Sequence, residues 1–87
     1  MARYSLEIKH SAGKELDALS DALFARIDRK IMALAENPRP HGCKKLKGHK
    51  DQWRIRVGDY RVVYTINDAK LLVEVTRIRH RSEVYEP

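Results

Sequence analysis

Six arginines in the second half of the chain fall in three groups: Arg54 and Arg56, then Arg61, then Arg77, Arg79 and Arg81. A guanidinium is a planar, permanently charged fork that grips phosphate oxygens two at a time. Tyrosine and tryptophan rings beside such groups give nucleobases a face to stack on. The chemistry within reach of these residue types is therefore phosphate binding and the stabilisation of charge developing on a phosphate. No His, Cys, Asp or Glu grouping has metal-ligand spacing, so neither a metal nor another cofactor is expected. His41 and His49 read as loop residues, and the single cysteine, Cys43, reads as a small loop residue.

Charge is unevenly spread. The formal net charge is +6. Residues 1–37 balance, six basic against six acidic, and residues 62–87 balance, four against four. The whole excess lies in residues 38–61, where eight basic residues face Asp51 and Asp59. Such a stretch points to an anionic partner, with nucleic acid first and an acidic protein second. The plainer alternative is a solvated charged face.

The elements that must hold these groups fit in little space. At 87 residues the chain is expected to form a single domain, 1–87. A domain this small buries only about 60% of the surface its unfolded chain exposes, so two packed layers are the most it can build. Hydrophobic residues at 43% exclude a disordered chain. No apolar run approaches the roughly 20 residues of a membrane span, and the start has no continuous apolar segment of a secretory signal. One cysteine cannot form an internal disulfide. Cytoplasmic residence, with no membrane partner, is the expectation.

Tyr4, Leu6 and Ile8 alternate with Ser5, Glu7 and Lys9, predicting a half-buried strand. Ser11 is the expected N-cap of a short helix running to about Leu19, and Ser20 or Asp21 that of a second. In the second, Leu23, Ile27, Ile31 and Leu34 form an apolar stripe of helical period, and Asn37-Pro38-Arg39-Pro40 stops it. Residues 41–52 read as a basic loop anchored by Leu46. Trp53–Val57 alternates as a strand, Gly58-Asp59 is a turn, Tyr60–Ile66 is strongly β-prone, and Asn67–Lys70 turns into a long strand through Arg79. The order β-α-α-β-β-β predicts an α+β fold. Two antiparallel helices pack on one face of a mainly antiparallel sheet, the last three strands form a meander, and the first lies at an edge.

Alternation then sorts the arginines. With Trp53, Ile55 and Val57 beneath the helices, Arg54 and Arg56 project together from the opposite face, about 7 Å apart. The hairpin returns Arg61 towards Arg56, and the last strand ends at Arg77, Arg79 and Arg81. Basic groups from three strands thus converge on an open face. Like charges side by side on a sheet are destabilising, and phosphate is the usual reason to keep them.

Four motifs in this order make the chain familiar: Lys45-Leu-Lys-Gly, Trp53-Arg-Ile-Arg-Val, Gly58-Asp-Tyr-Arg-Val-Val-Tyr and Arg79-His-Arg-Ser-Glu-Val-Tyr85. Together with the Asn37-Pro38 stop they resemble the RelE branch of the RelE/ParE toxin superfamily, over nearly the whole chain. The resemblance implies the toxin of a type II toxin–antitoxin pair: a ribosome-dependent endoribonuclease that cuts messenger RNA in the A site without a metal. Its implied partners are an acidic RelB-like antitoxin, the ribosome and mRNA, with operator DNA reached only through the antitoxin complex. Carried over residue by residue, the implied catalytic groups are Arg54, Arg56, Arg61, Arg79 and Tyr85. Arg61 would grip the phosphate, Arg79 would stabilise the leaving oxygen, and Tyr85 would stack on the base or orient the 2′-hydroxyl. Lys44, Lys45, Lys47, Lys50 and Arg81 would contact RNA or ribosome.

The best-known members carry lysines at the positions of Arg54 and Arg56. An arginine's pKa cannot usefully be lowered, so Arg56 is a poor proton acceptor. Three readings stay open: Arg56 acts only electrostatically, His80 transfers the proton, or the activity is weaker. Alternation places His80 opposite Arg79. Two other functions remain, a ParE-like inhibitor of DNA gyrase and a non-catalytic nucleic-acid-binding or regulatory relative.

Overall fold

The computed structural model describes residues 3–48 and 51–81. In chain order the elements are β1 (Ser5–Ile8), α1 (His10–Asp17), α2 (Asp21–Ala33), β2 (Lys44–Lys45), β3 (Gln52–Val57), β4 (Tyr60–Asn67) and β5 (Leu72–His80). The strands make one sheet in the order β1-β5-β4-β3-β2. β1 runs parallel to β5, and every other neighbouring pair is antiparallel. This is the expected α+β arrangement, with β3, β4 and β5 as a meander and β1 at an edge.

Local chemistry explains α2. Ser20 sits in extended conformation, and its hydroxyl oxygen accepts the Leu23 N–H at 3.4 Å. Asp21 in the first turn and Lys30 in the last complement the helix dipole. The stripe of Ile27, Ile31 and Leu34 is buried against the sheet, meeting Ile55, Val57, Val62, Tyr64, Ile66, Val73, Val75 and Ile78 in one core. α1 begins differently from the sequence expectation. It starts at His10, with Lys9 as a cap that makes no side-chain bond, and Ser11 lies inside the helix. The sheet sets this start: the Lys9 N–H donates to the Val75 carbonyl at 2.8 Å, so the chain turns into the helix as it leaves the strand.

Two fasteners tie the segment after α2 to the sheet. The buried Tyr64 hydroxyl donates to the Pro38 carbonyl at 2.7 Å, and burial pushes its phenol well above the ordinary range. Nearer the surface, Arg39 lies over the Trp53 ring at 5.1 Å and makes a two-point contact with Asp68, at 3.3 and 2.9 Å. Asp68 also accepts the Tyr4 hydroxyl at 2.6 Å. The Arg39 hydrogen bond, then that of Tyr4, holds the Asp68 carboxyl below the usual carboxylate range.

Two further features depart from the sequence reading. The expected basic loop contains β2, a two-residue edge strand whose Lys44 and Lys45 face Arg54 and Trp53. Lysine on an edge strand discourages pairing with another chain. The second departure lies in β5. The register slips between Val63 and Tyr64, which pair with Arg77 and Val75, leaving Thr76 as the extra residue of a bulge. Its hydroxyl donates to the Val63 carbonyl at 3.3 Å. The slip lets Val73, Val75 and Ile78 all face the helices, while Arg77 and Arg79 face away.

Candidate functional site

The register of three strands brings their arginines into line. The β3–β4 hairpin sets Arg56 opposite Arg61, and the β4–β5 pairing sets Arg61 opposite Arg79. Opposed Cβ atoms in such pairs are about 4.5–5.5 Å apart, so three cations stand side by side. A second row on the same face runs Lys44, Arg54, Val63, Arg77.

At the hairpin end the row opens onto a cleft of about 120 Å³ lined by Arg56, Gly58, Asp59, Tyr60, Arg61 and Arg81. The Arg81 N–H donates to the Asp59 carbonyl at 2.7 Å, which docks the end of the described chain beside the turn. The Arg81 guanidinium reaches the Asp59 carboxylate at 4.0 Å, both largely exposed. Gly58 has φ +60°, and a Cβ there would stand 3.2 Å from Nη1 of Arg26, which reaches across from α2. The positive φ is what favours glycine at this turn, and a Cβ would in addition have to push the Arg26 guanidinium back by a few tenths of an ångström.

The expected site residues separate by burial. Arg56 and Arg81 are exposed, and Arg61 and Arg79 are half-buried, with Nε and Nη1 of Arg61 shielded from solvent. Glu15 of α1 holds Arg79 through its Nε. Arg54 corrects the expectation of an open face throughout. It lies on the arginine side, but it is only 3% exposed. It stands between β2 and β4 in the same row as buried Val63, while Lys44 and Arg77 at the two ends of that row are exposed. Lys44 stands on the arginine face, whereas Lys45 pairs with Trp53 on the helix side; both are exposed, as is Lys47. His80 lies on the helix side, packed edge-on to Tyr60 with ring centroids 5.3 Å apart. Lys50 and Tyr85 lie outside the described residues. Sequence reasoning missed Glu15 and Arg26. Both sit on helices, and no spacing in the sequence announces that they reach the strands bearing the arginines. Among the described residues no three His, Cys, Asp or Glu side chains are grouped to hold a metal ion. In this part of the chain no helix is long and apolar enough to cross a membrane.

A family model described as the ParE toxin of the type II toxin–antitoxin system parDE matches residues 6–85. The mRNA interferase toxin RelE of Escherichia coli K12 is 34% identical over 86 residues, spanning 94% of this chain and 90% of that protein. The chain belongs to the RelE/ParE toxin superfamily. Within it this protein is a RelE-like toxin of the type II toxin–antitoxin class. The fold agrees: a chain of the archaeal RelE–RelB complex from Pyrococcus horikoshii superposes with a TM-score of 0.82 at 28% identity, covering 97% of this chain and 100% of that one. A chain of the intact E. coli RelBE complex gives 0.78 at 29% identity, covering 88% and 95%.

Proposed function

We propose that this RelE-like toxin is a ribosome-dependent endoribonuclease that cuts messenger RNA in the A site. The observation that carries the reading is the register of Arg56, Arg61 and Arg79, three cations opposed across three strands beside a cleft rimmed by Arg81. The name mRNA interferase borne by the E. coli relative supports it. The ribose 2′-hydroxyl gives its proton to water and its oxygen attacks the adjacent 3′-phosphate; a P–O bond forms, and the bond to the 5′-oxygen of the next nucleotide breaks as that oxygen takes a proton from water. A 2′,3′-cyclic phosphate and a 5′-hydroxyl result. Arg61 grips the non-bridging oxygens, Arg56 stabilises the phosphorane charge, and Arg79 faces the leaving oxygen. Tyr85 stacks on the base or orients the 2′-hydroxyl. Arg54, being buried, contributes its field rather than contact. Because arginine is a poor base, Arg56 acts electrostatically and the ribosome supplies the in-line geometry. His80 has no part in this reading, since it lies on the helix side. Lys44, Lys45, Lys47 and Lys50 dock on RNA or ribosome, anchoring without specifying sequence. The chemistry calls for no metal. An acidic RelB-like antitoxin is the partner, in keeping with the RelE–RelB complexes of the structural relatives and the +6 charge of this chain; operator DNA is bound through that complex, in the cytoplasm.

The test is to add the protein to ribosomes stalled with a defined A-site codon and map the message ends, with and without EDTA. A-site cuts with cyclic-phosphate ends are expected in both. Arg61→Ala should slow them by about 100-fold. Intact messages together with inhibited DNA supercoiling would overturn the reading in favour of a ParE-like gyrase poison.

A further inference from the structure

We propose that Glu15 is a positioning residue for Arg79, a carboxylate carried on the first helix that aims the arginine at the end of β5 along the cationic row. The proposal rests on reading that row as the site of RNA cleavage. Its starting point is a gap in the sheet. β1 accompanies β5 only as far as Ile8, opposite Val75, and the chain then leaves for α1. From Thr76 onward that side of β5 has no strand beside it among the described residues. A backbone N–H on such an edge needs an acceptor if it is covered.

Glu15 supplies it. One carboxylate oxygen, Oε1, accepts the Ile78 N–H at 2.9 Å, and the other, Oε2, accepts Nε of Arg79. Its side chain is 23% exposed against 39% for Arg79, so the contact is sheltered while the arginine stays within reach of a ligand. A carboxylate that completes a strand edge and simultaneously holds the next side chain fixes two things by one group. The backbone bond locks the carboxylate, and the locked carboxylate sets the guanidinium plane.

A guanidinium has two useful edges. With Nε committed to Glu15, the edge carrying both Nη groups remains to face Arg61, the residue opposite Arg79 in the sheet. That edge still offers two parallel N–H donors to two oxygens of a phosphate. The negative charge also offsets one of three cations held side by side, whose mutual repulsion would otherwise splay the row.

The discriminating variant is Glu15→Gln. A glutamine oxygen still accepts the Ile78 N–H, while its amide presents N–H to Nε, so the strand edge survives and the hold on Arg79 does not. In ribosome-programmed cleavage Glu15→Gln should lose roughly 10- to 100-fold in kcat with KM within about twofold of the parent. In an Arg79→Ala background Glu15→Gln should cost nothing more. A readout independent of cleavage is the Arg79 Nε–H resonance in proton–nitrogen NMR of the free toxin, distinct and slow to exchange in the parent and averaged with the other arginines in Glu15→Gln. A parent-like rate or an unchanged resonance in Glu15→Gln would overturn the proposal. If the parent cuts no message at all, the cleavage reading fails, and the resonance still decides whether Glu15 holds Arg79. Glu15→Asp, which keeps the charge but draws it back by one methylene, serves as the second variant if Glu15→Gln does not fold, with the same kcat-selective loss expected.

Discussion

Asp68 shows how one side chain can help join four segments. It accepts from Arg39 and from Tyr4, and Arg39 in turn lies over Trp53, so the start of the chain, the stop after α2, the β4–β5 turn and β3 meet at one carboxylate. Its carboxyl is held below the usual range, first by the Arg39 hydrogen bond. A depressed carboxyl stabilises the fold above its unfolded pKa of about 3.9, and the contribution is lost as pH falls through the folded value. Asp68→Asn should therefore be less stable than the parent at neutral pH, and the two unfolding curves should converge in acid; urea melts at several pH values check this, and a gap that persists in acid would remove the ion pair as its cause. The same network explains why counting charge misleads. Arg39 belongs to the basic stretch, yet it is engaged with Asp68 and Trp53, and Arg54 is buried.

At the scale of elements, what could be read from the sequence is what repeats. The period of Leu23, Ile27, Ile31 and Leu34 places α2, and the alternation of Trp53–Val57 places Arg54 and Arg56 on one face, as observed. What escapes is set by partners distant in sequence. β2 is too short for any pattern and exists because β3 offers it an edge. Arg54 follows the alternation and still ends up buried, because alternation assigns a face and says nothing of what shelters it. The start of α1 is fixed by a bond from Lys9 to Val75 rather than by a capping side chain. That helix carries a correctable weakness in Gly13, since glycine inside a helix costs about 0.5–1 kcal/mol relative to alanine. A Cβ at Gly13 would meet only Ile8 Cγ2, at 3.9 Å, an ordinary contact. Gly13→Ala should raise the unfolding free energy by about 0.5–1 kcal/mol in chemical denaturation, and a loss instead would mean that the helix shifts to make room.

For the whole molecule, the positive charge becomes a statement about salt. Each phosphate neutralised on a single strand contributes about −0.7 to the slope of log affinity against log salt, so Arg56, Arg61, Arg79 and Arg81 together should give about −3. Arg81→Gln should make the slope shallower by about 0.7, read by fluorescence anisotropy of a short RNA across a salt series. An unchanged slope would take Arg81 off the phosphate. The bulge at Thr76 carries a different kind of consequence. It lets a single strand serve the core through Val73, Val75 and Ile78 and the row through Arg77 and Arg79, by shifting phase between them. Straighten the bulge with Thr76 still in place and the two halves fall into step: either the valines turn out towards the RNA side, or the arginines turn into the core; without Thr76 the pairs Val63–Arg77 and Tyr64–Val75 would simply follow one another in a regular ladder. Descendants of this gene can exchange letters along β5 with some freedom and can lose the Thr76 codon without turning either half over, but loss of a codon to either side of it turns part of the strand to the wrong face, so the length of each half should be inherited more faithfully than its composition.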